Sequence, residues 1–303
     1  MLKSLQPQQI RRIATLVLAT GFALGSLQAA LIDNLDGYWR LDETSGNFED
    51  SSGNGNTLTA EGSPWGNGSN GLIDGAMNPN ASDETEDYAA GSTGDGAFGD
   101  YQLSDAFSAQ VWVNLESDPS GFQYYLGRGA GPDFDGGWRI SNNGATDDGG
   151  ATKDSSIARI LFVTPDGTWS RNSSLNTLVD EDGWIQLVFT YDGTSHLDGV
   201  NLYVNGALDN NATVSPGVAG TSPITGSINE DTAAFSIGNR HGNLTNDVDG
   251  DLDEAAVWSR ELTAQEVSDL WNEGSGMNII PEPTSMALLV LGMTALLGRR
   301  RRR

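Results

Sequence analysis

Gly250-Asp251-Leu252-Asp253-Glu254-Ala255-Ala256-Val257-Trp258-Ser259-Arg260-Glu261-Leu262-Thr263 joins two kinds of structure in one short run. Leu252–Trp258 reads as a strand, in which successive side chains face opposite sides. On that pattern Asp253, Ala255 and Val257 point one way, and Leu252, Glu254, Ala256 and Trp258 the other. The period then changes. Thr263 and Glu266 have capping-box spacing, Leu262 and Val267 hold the staple positions, and Val267, Leu270 and Trp271 recur at i, i+3 and i+4. The spacing predicts one helix at about 264–272, with Gly274 as a natural stop.

Upstream, the same period of two recurs. Phe107, Ala109, Val111 and Val113 alternate with Ser108, Gln110, Trp112 and Asn114, and Ile185, Leu187, Phe189 and Tyr191 alternate with Trp184, Gln186, Val188 and Thr190. Further strand-like runs are Gly37–Asp42, Phe122–Gly127, Trp138–Ser141, Ala158–Thr164, Val200–Asn205 and Ala234–Gly238, separated by Gly/Asn/Asp/Ser clusters. Val204-Asn205-Gly206-Ala207 carries the Asn-Gly signal of a type I′ hairpin. Many short antiparallel strands and one helix point to an all-β, two-sheet sandwich or jelly roll.

The set Gly37-Tyr38-Trp39-Arg40-Leu41-Asp42-Glu43, Asp50-Ser51-Ser52-Gly53-Asn54-Gly55-Asn56, Trp184–Gly193, Leu202-Tyr203-Val204-Asn205-Gly206, Phe235-Ser236-Ile237-Gly238 and Gly250–Thr263 resembles, in its order, laminin G-like domains of the concanavalin A-like jelly-roll fold. The resemblance gives a domain over 31–273, followed by a linker at 274–280. The fold hosts lectins, adhesion modules and structural domains alike, so it specifies no ligand by itself.

Asp253 is the most informative carboxylate, because an acid in line with small apolar residues needs a cation or hydrogen-bond donors once buried. The resemblance implies a Ca²⁺ site of hard oxygen ligands at the sandwich rim, with Asp253, Asp42, Asp50 and Asn54 as the candidate ligands. The alternative is a structural network, with Asp253 bonded to backbone amides or to Arg40. Asp249, Asp251 and Asp253 also alternate, and retaining β-glucanases of this fold carry alternating Glu-Asp-Glu. Here all three are Asp and Gly250 interrupts the run, which fits poorly with the about 5–5.5 Å spacing of a retaining pair. The two histidines, His196 and His241, fall in no triad or zinc motif. No catalysis is expected. Trp65, Tyr88, Tyr101, Tyr124, Trp138 and Trp169 lie in or near loops, where a ring can stack on a sugar.

Both ends read as addresses. Residues 1–30 have the basic start, apolar stretch and small-residue end of a secretory signal peptide. Pro281-Glu282-Pro283 is followed by an uncharged apolar helix at 285–298 and five arginines, Arg299 to Arg303. That order resembles the PEP-CTERM sorting signal over 281–303. It implies transient inner-membrane insertion, with the arginines cytoplasmic, processing by an exosortase-type membrane protease, and release to the cell surface or an extracellular polysaccharide matrix.

The formal charge of the chain is −25. Eight of the sixteen basic residues belong to the two ends, so the region between carries eight basic against forty acidic residues, a net of −32. Such a surface repels nucleic-acid phosphate. No cysteine is present, so no disulfide stabilises the exported domain. The sequence thus describes an exported binding or adhesion module for carbohydrate or matrix. A structural surface or biofilm protein is the alternative, and a glycoside hydrolase the third reading. C-terminal sequencing of surface-located protein is expected to end near Pro281–Pro283; an intact Arg303 in all of it would contradict the sorting reading.

Overall fold

The computed structural model describes residues 28–66, 71–79, 87–94, 96–119, 121–129, 136–142, 156–173, 178–179, 183–210, 223–229, 232–242 and 247–280. Asn34–Met277 form one compact unit, and outside it residues 28–32 are helical. The signal peptide expected at 1–30 falls almost wholly outside the described residues. The sorting segment 281–303, with Pro281, Glu282 and Pro283, falls outside them entirely. Among the described residues no helix is long and apolar enough to cross a membrane.

The strands are Leu35–Trp39 (β1), Thr59–Glu61 (β2), Tyr88–Ala90 (β3), Phe107–Leu115 (β4), Tyr124–Gly129 (β5), Gly137–Asn142 (β6), Ala158–Thr164 (β7), Gly167–Asn172 (β8), Ile185–Tyr191 (β9), Val200–Val204 (β10), Ala207–Leu208 (β11), Phe235–Ile237 (β12) and Gly250–Trp258 (β13). They form a six-stranded sheet ordered β1-β13-β4-β9-β10-β11 and a seven-stranded sheet ordered β2-β3-β12-β5-β6-β7-β8. The expected all-β, two-sheet sandwich of jelly-roll type is the observed fold. The first and last strands are neighbours, with Trp39 opposite Ala255 and Tyr38 opposite Ala256.

The alternation read in β4 and β9 places Phe107, Ala109, Val111 and Val113, and Ile185, Leu187, Phe189 and Tyr191, in the core between the sheets. The facing sheet contributes Trp138, Ile140, Ile160, Phe162, Phe235 and Ile237. Phe107 is the hub: its ring lies 4.4 Å from Tyr101, stacked, and 5.2 Å from both Trp138 and Phe189. Tyr191 and Phe162 complete the shell at 5.7 and 6.0 Å. Edge-to-face rings of this kind add to the burial itself. Trp138 and Trp169, expected in or near loops, lie in β6 and β8 as core residues.

The β10–β11 turn has Asn205 at φ 50° and Gly206 at φ 75°, the two positive values that a type I′ turn requires. A Cβ on Gly206 would lie 2.8 Å from Cβ of Trp271, so this turn seats the helix α1 (Ala264–Trp271). At its start the Glu266 amide donates to Thr263 Oγ1 (3.2 Å) and the Thr263 amide donates to Glu266 Oε2 (2.8 Å). Arg260 forks onto both Glu266 oxygens at 2.7 and 3.0 Å. Asn272, in the left-handed conformation, ends the helix ahead of Gly274.

Replacing Phe107 by Ala should cost about 3–5 kcal/mol of unfolding free energy, measured by denaturant titration of the full chain. A loss under about 1 kcal/mol would show that the two sheets are not joined through this ring.

Candidate functional site

β13 is hydrogen-bonded along both edges. On one it pairs with β4. On the other, Ala255–Trp258 pair with β1, whereas Leu252 exchanges both backbone hydrogen bonds with Met77, at 2.9 and 2.8 Å. The chain on that second edge therefore forks at Asp253 and Glu254. At the fork Asp253 is opposite Trp112 and Ala256 is opposite Gln110, so β13 carries one residue more than β4. This is a β-bulge, and Glu254 sits in it at φ 50°. Leu41 and Asp74, on the two diverging segments, have φ 63° and 62°. Positive φ costs energy for residues other than glycine, and three such residues meet at one place.

The bulge corrects the simple alternation. Leu252, Ala255 and Val257 face the core together, so Asp253 does not share a face with Ala255 and Val257. The extra residue shifts the phase of everything after it.

Asp253 is fully buried. Its Oδ2 accepts from the Ile73 amide (3.1 Å) and its Oδ1 from the Glu254 amide (2.7 Å). This is the backbone-amide network named above as the alternative to calcium. Asp42 is close by and accepts from the Gly75 amide at 2.7 Å. Glu254, 1% exposed, accepts from the Tyr38 hydroxyl through Oε2, while its Oε1 has no hydrogen-bond partner among the described residues. Burial, reinforced by the charge of Glu254, pushes Asp253 up to about 9. Burial pushes Glu254 up to about 8, against the Tyr38 hydrogen bond and the Arg40 charge, with Asp42 and Asp74 adding to the rise.

Asp50 and Asn54 stand elsewhere. Asp50 accepts from the amides of Tyr38 (3.1 Å), Ser52 (2.8 Å) and Asn56 (2.9 Å). Asn54 donates to the carbonyls of Leu35 (2.7 Å) and Asp36 (3.1 Å). Both clasp the 50–56 loop to β1. The structure thus brings Asp42 to Asp253 and Glu254 but leaves Asp50 and Asn54 in a separate backbone clasp. Among the described residues no group of three or more acidic or histidine side chains is arranged to hold a metal ion. The alternating acids are also separately engaged. Asp249 accepts from the Ser117 hydroxyl (2.5 Å) and Asp251 from the Asn78 amide nitrogen (2.7 Å).

Sequence reasoning named Asp253 and passed over Glu254, because strict alternation puts them on opposite faces. It also gave no weight to the outer face of the seven-stranded sheet, where Arg139 and Arg159 are buried among polar side chains. The signal was present: Arg139 and Ser141 alternate with Trp138 and Ile140 in a region with only eight basic residues.

Residues 89–268 match the Laminin_G_3 family of the concanavalin A-like lectin/glucanases superfamily. The chain belongs to this superfamily. Residues 280–303 match the PEP-CTERM protein-sorting motif. No curated protein matches this laminin G-like chain. Among solved structures it is similar to the binding domain of Paraclostridial Mosquitocidal Protein 1, at 16% identity and TM-score 0.55 over 80% of this chain and 53% of that one. It is also similar to botulinum neurotoxin type C, whose cell entry depends on two ganglioside molecules, at 17% identity and TM-score 0.56 over 80% and 52%. A third is Trypanosoma rangeli sialidase in complex with sialic acid, at 16% identity and TM-score 0.50 over 81% and 34%. The chain spans about half the length of the first two, and at these identities the likeness is one of fold.

The raised carboxyls make stability pH-dependent. A carboxyl whose folded pKa lies above its unfolded value contributes stability that is complete below the unfolded value, near pH 4, and is lost as pH rises through the folded one. Here that loss extends to pH 8–9. The denaturation midpoint in chelator should fall from pH 5 to pH 9, and the fall should be shallower in Asp253→Asn. Equal slopes for the two proteins would contradict the burial account.

Proposed function

We propose that this laminin G-like protein is an exported, non-catalytic binding module for carbohydrate or extracellular matrix. It is held transiently in the inner membrane and processed by an exosortase-type protease before display or release. The observation that carries the reading is the pairing in one chain of a lectin-like sandwich with a PEP-CTERM motif. Its similarity to toxin binding domains, those of Paraclostridial Mosquitocidal Protein 1 and botulinum neurotoxin serotype C1, supports binding over catalysis. So does the separate engagement of Asp249, Asp251 and Asp253, each of which is hydrogen-bonded to a different partner rather than paired with another of the three.

Calcium is proposed on narrower ground than the full candidate set. Glu254 Oε1, buried without a donor among the described residues, is an oxygen that a hard cation would satisfy; Asp253 and Asp42 lie near it but are not arranged with it as a metal site, so calcium would have to draw them in. Calcium would replace protons there, so its effect should grow as pH rises.

A glycan array probed with the full chain, with and without Ca²⁺, is expected to give selective signals, and the same chain should release no reducing ends from β-glucans. An array blank in both conditions would favour a structural matrix role, and released sugar would favour the hydrolase. An unchanged melt with calcium at pH 8 would leave the fork held by hydrogen bonds alone.

A further inference from the structure

Among the described strands four end the two sheets: β1 and β11 the six-stranded one, β2 and β8 the seven-stranded one. An end strand offers unpaired N–H and C=O groups to any other chain. β11 has two residues and β2 three, too few to template a partner. β8 is tied back, because the Arg171 guanidinium donates to the carbonyls of Leu197 and Val200, and a cation on an end strand discourages pairing. β1 is different. Its five residues, Leu-Asp-Gly-Tyr-Trp, include no cation and no proline. Its one charged side chain, Asp36, is engaged by the hydroxyls of Tyr101 (2.8 Å) and Ser259 (2.7 Å).

On the edge of β1 that faces away from β13, the 50–56 loop takes the place of a strand. The Tyr38 amide donates to Asp50 Oδ1 (3.1 Å), and the Tyr38 carbonyl accepts from the Ser51 amide (2.7 Å). The Asp36 carbonyl accepts from Asn54 Nδ2 (3.1 Å) and Asn56 Nδ2 (2.8 Å), and the Leu35 carbonyl from Asn54 Nδ2 (2.7 Å). The Trp39 indole, rooted in the core, donates to the Asn56 carbonyl (2.9 Å) and ties down the end of the loop. Gly53 and Gly55, at φ 88° and 83°, give the loop the left-handed bends that aim these side chains at the strand. A second strand would use the same backbone groups, so the loop and a strand exclude one another. We propose that the outward edge of β1 is a latent pairing surface for a second copy of this chain, closed by the 50–56 loop. Antiparallel pairing of β1 with the β1 of another copy uses the same groups on both sides, as a two-fold interface requires. With β11 too short to extend the sheet at its other end, pairing stops at a dimer. The proposal holds whichever ligand the module takes, and it gives Asp50 and Asn54 a task other than holding a metal.

The test is sedimentation velocity and hydrogen–deuterium exchange of the full chain in a neutral detergent, over a range of protein concentrations. The proteins are wild type, Asn54→Ala, the double variant Asp50→Ala/Asn54→Ala, and Thr263→Ala. Wild type should keep one mass throughout. The double variant should double its mass as concentration rises. In dilute solution its Tyr38 amide should exchange at least about tenfold faster than in wild type, and in concentrated solution it should regain protection. Thr263→Ala loosens the start of α1 and leaves the edge closed, so its mass should follow wild type. If the double variant does not melt cooperatively, Asn54→Ala alone, which keeps the three amide bonds of Asp50, should double its mass at higher concentration. Each of three results overturns the proposal: a folded variant of one mass at all concentrations, a Thr263→Ala protein that associates like the edge variants, or a wild type that self-associates as readily as they do.

Discussion

β13 can keep its place between β4, β1 and the Met77 segment only by inserting Glu254 as an extra residue. That bulge sets the phase of the strand. Upstream of it Leu252 faces the core; downstream Ala255 and Val257 do so. Without the insertion, every side chain from Ala255 to Trp258 would change face, and Val257 would leave the core. The bulge also splits the second edge between two partners. That split brings Asp42, Asp253 and Glu254 together and draws Leu41 and Asp74 into left-handed backbone. Two buried carboxyls at one place are a cost of this geometry, offset by the amides of Ile73 and Glu254 and by the Tyr38 hydroxyl.

The sandwich itself was largely legible. Ala158–Thr164 was read to its ends, and the alternations in β4 and β9 named the core residues that meet around Phe107. The type I′ turn at Asn205-Gly206 and the capping box at Thr263 and Glu266 were visible because each rests on local chemistry that a few residues specify. The short strands Thr59–Glu61, Tyr88–Ala90 and Gly167–Asn172 were not. Three residues carry too little alternation to register, and Gly-Thr-Trp-Ser-Arg-Asn looks like a loop until β7 pairs with it.

The candidate site was half legible. Asp253 stood out as an acid in an apolar strand. The bulge beside it left no trace, since Asp-Glu-Ala-Ala reads equally well in either phase, so Asp253 was grouped with Ala255 and Val257 and separated from Glu254. Asp50 and Asn54 are oxygen-bearing residues in a plausible loop, yet their hydrogen bonds go to backbone groups of β1 and the loop. Arg139 and Arg159 were overshadowed by the acidity of the whole domain, though their rarity was itself informative.

The sandwich therefore has two polar centres of opposite sign. One is an acidic fork at the edge of the six-stranded sheet, where buried protons or a cation complete the fold. The other lies on the outer face of the seven-stranded sheet, where Arg139 and Arg159 are fully buried. Deletion of Glu254 tests the bulge most directly, by denaturant titration of the full chain. The account predicts a lower midpoint than wild type, because Leu252 and Val257 can no longer both face the core. An unchanged midpoint would contradict it.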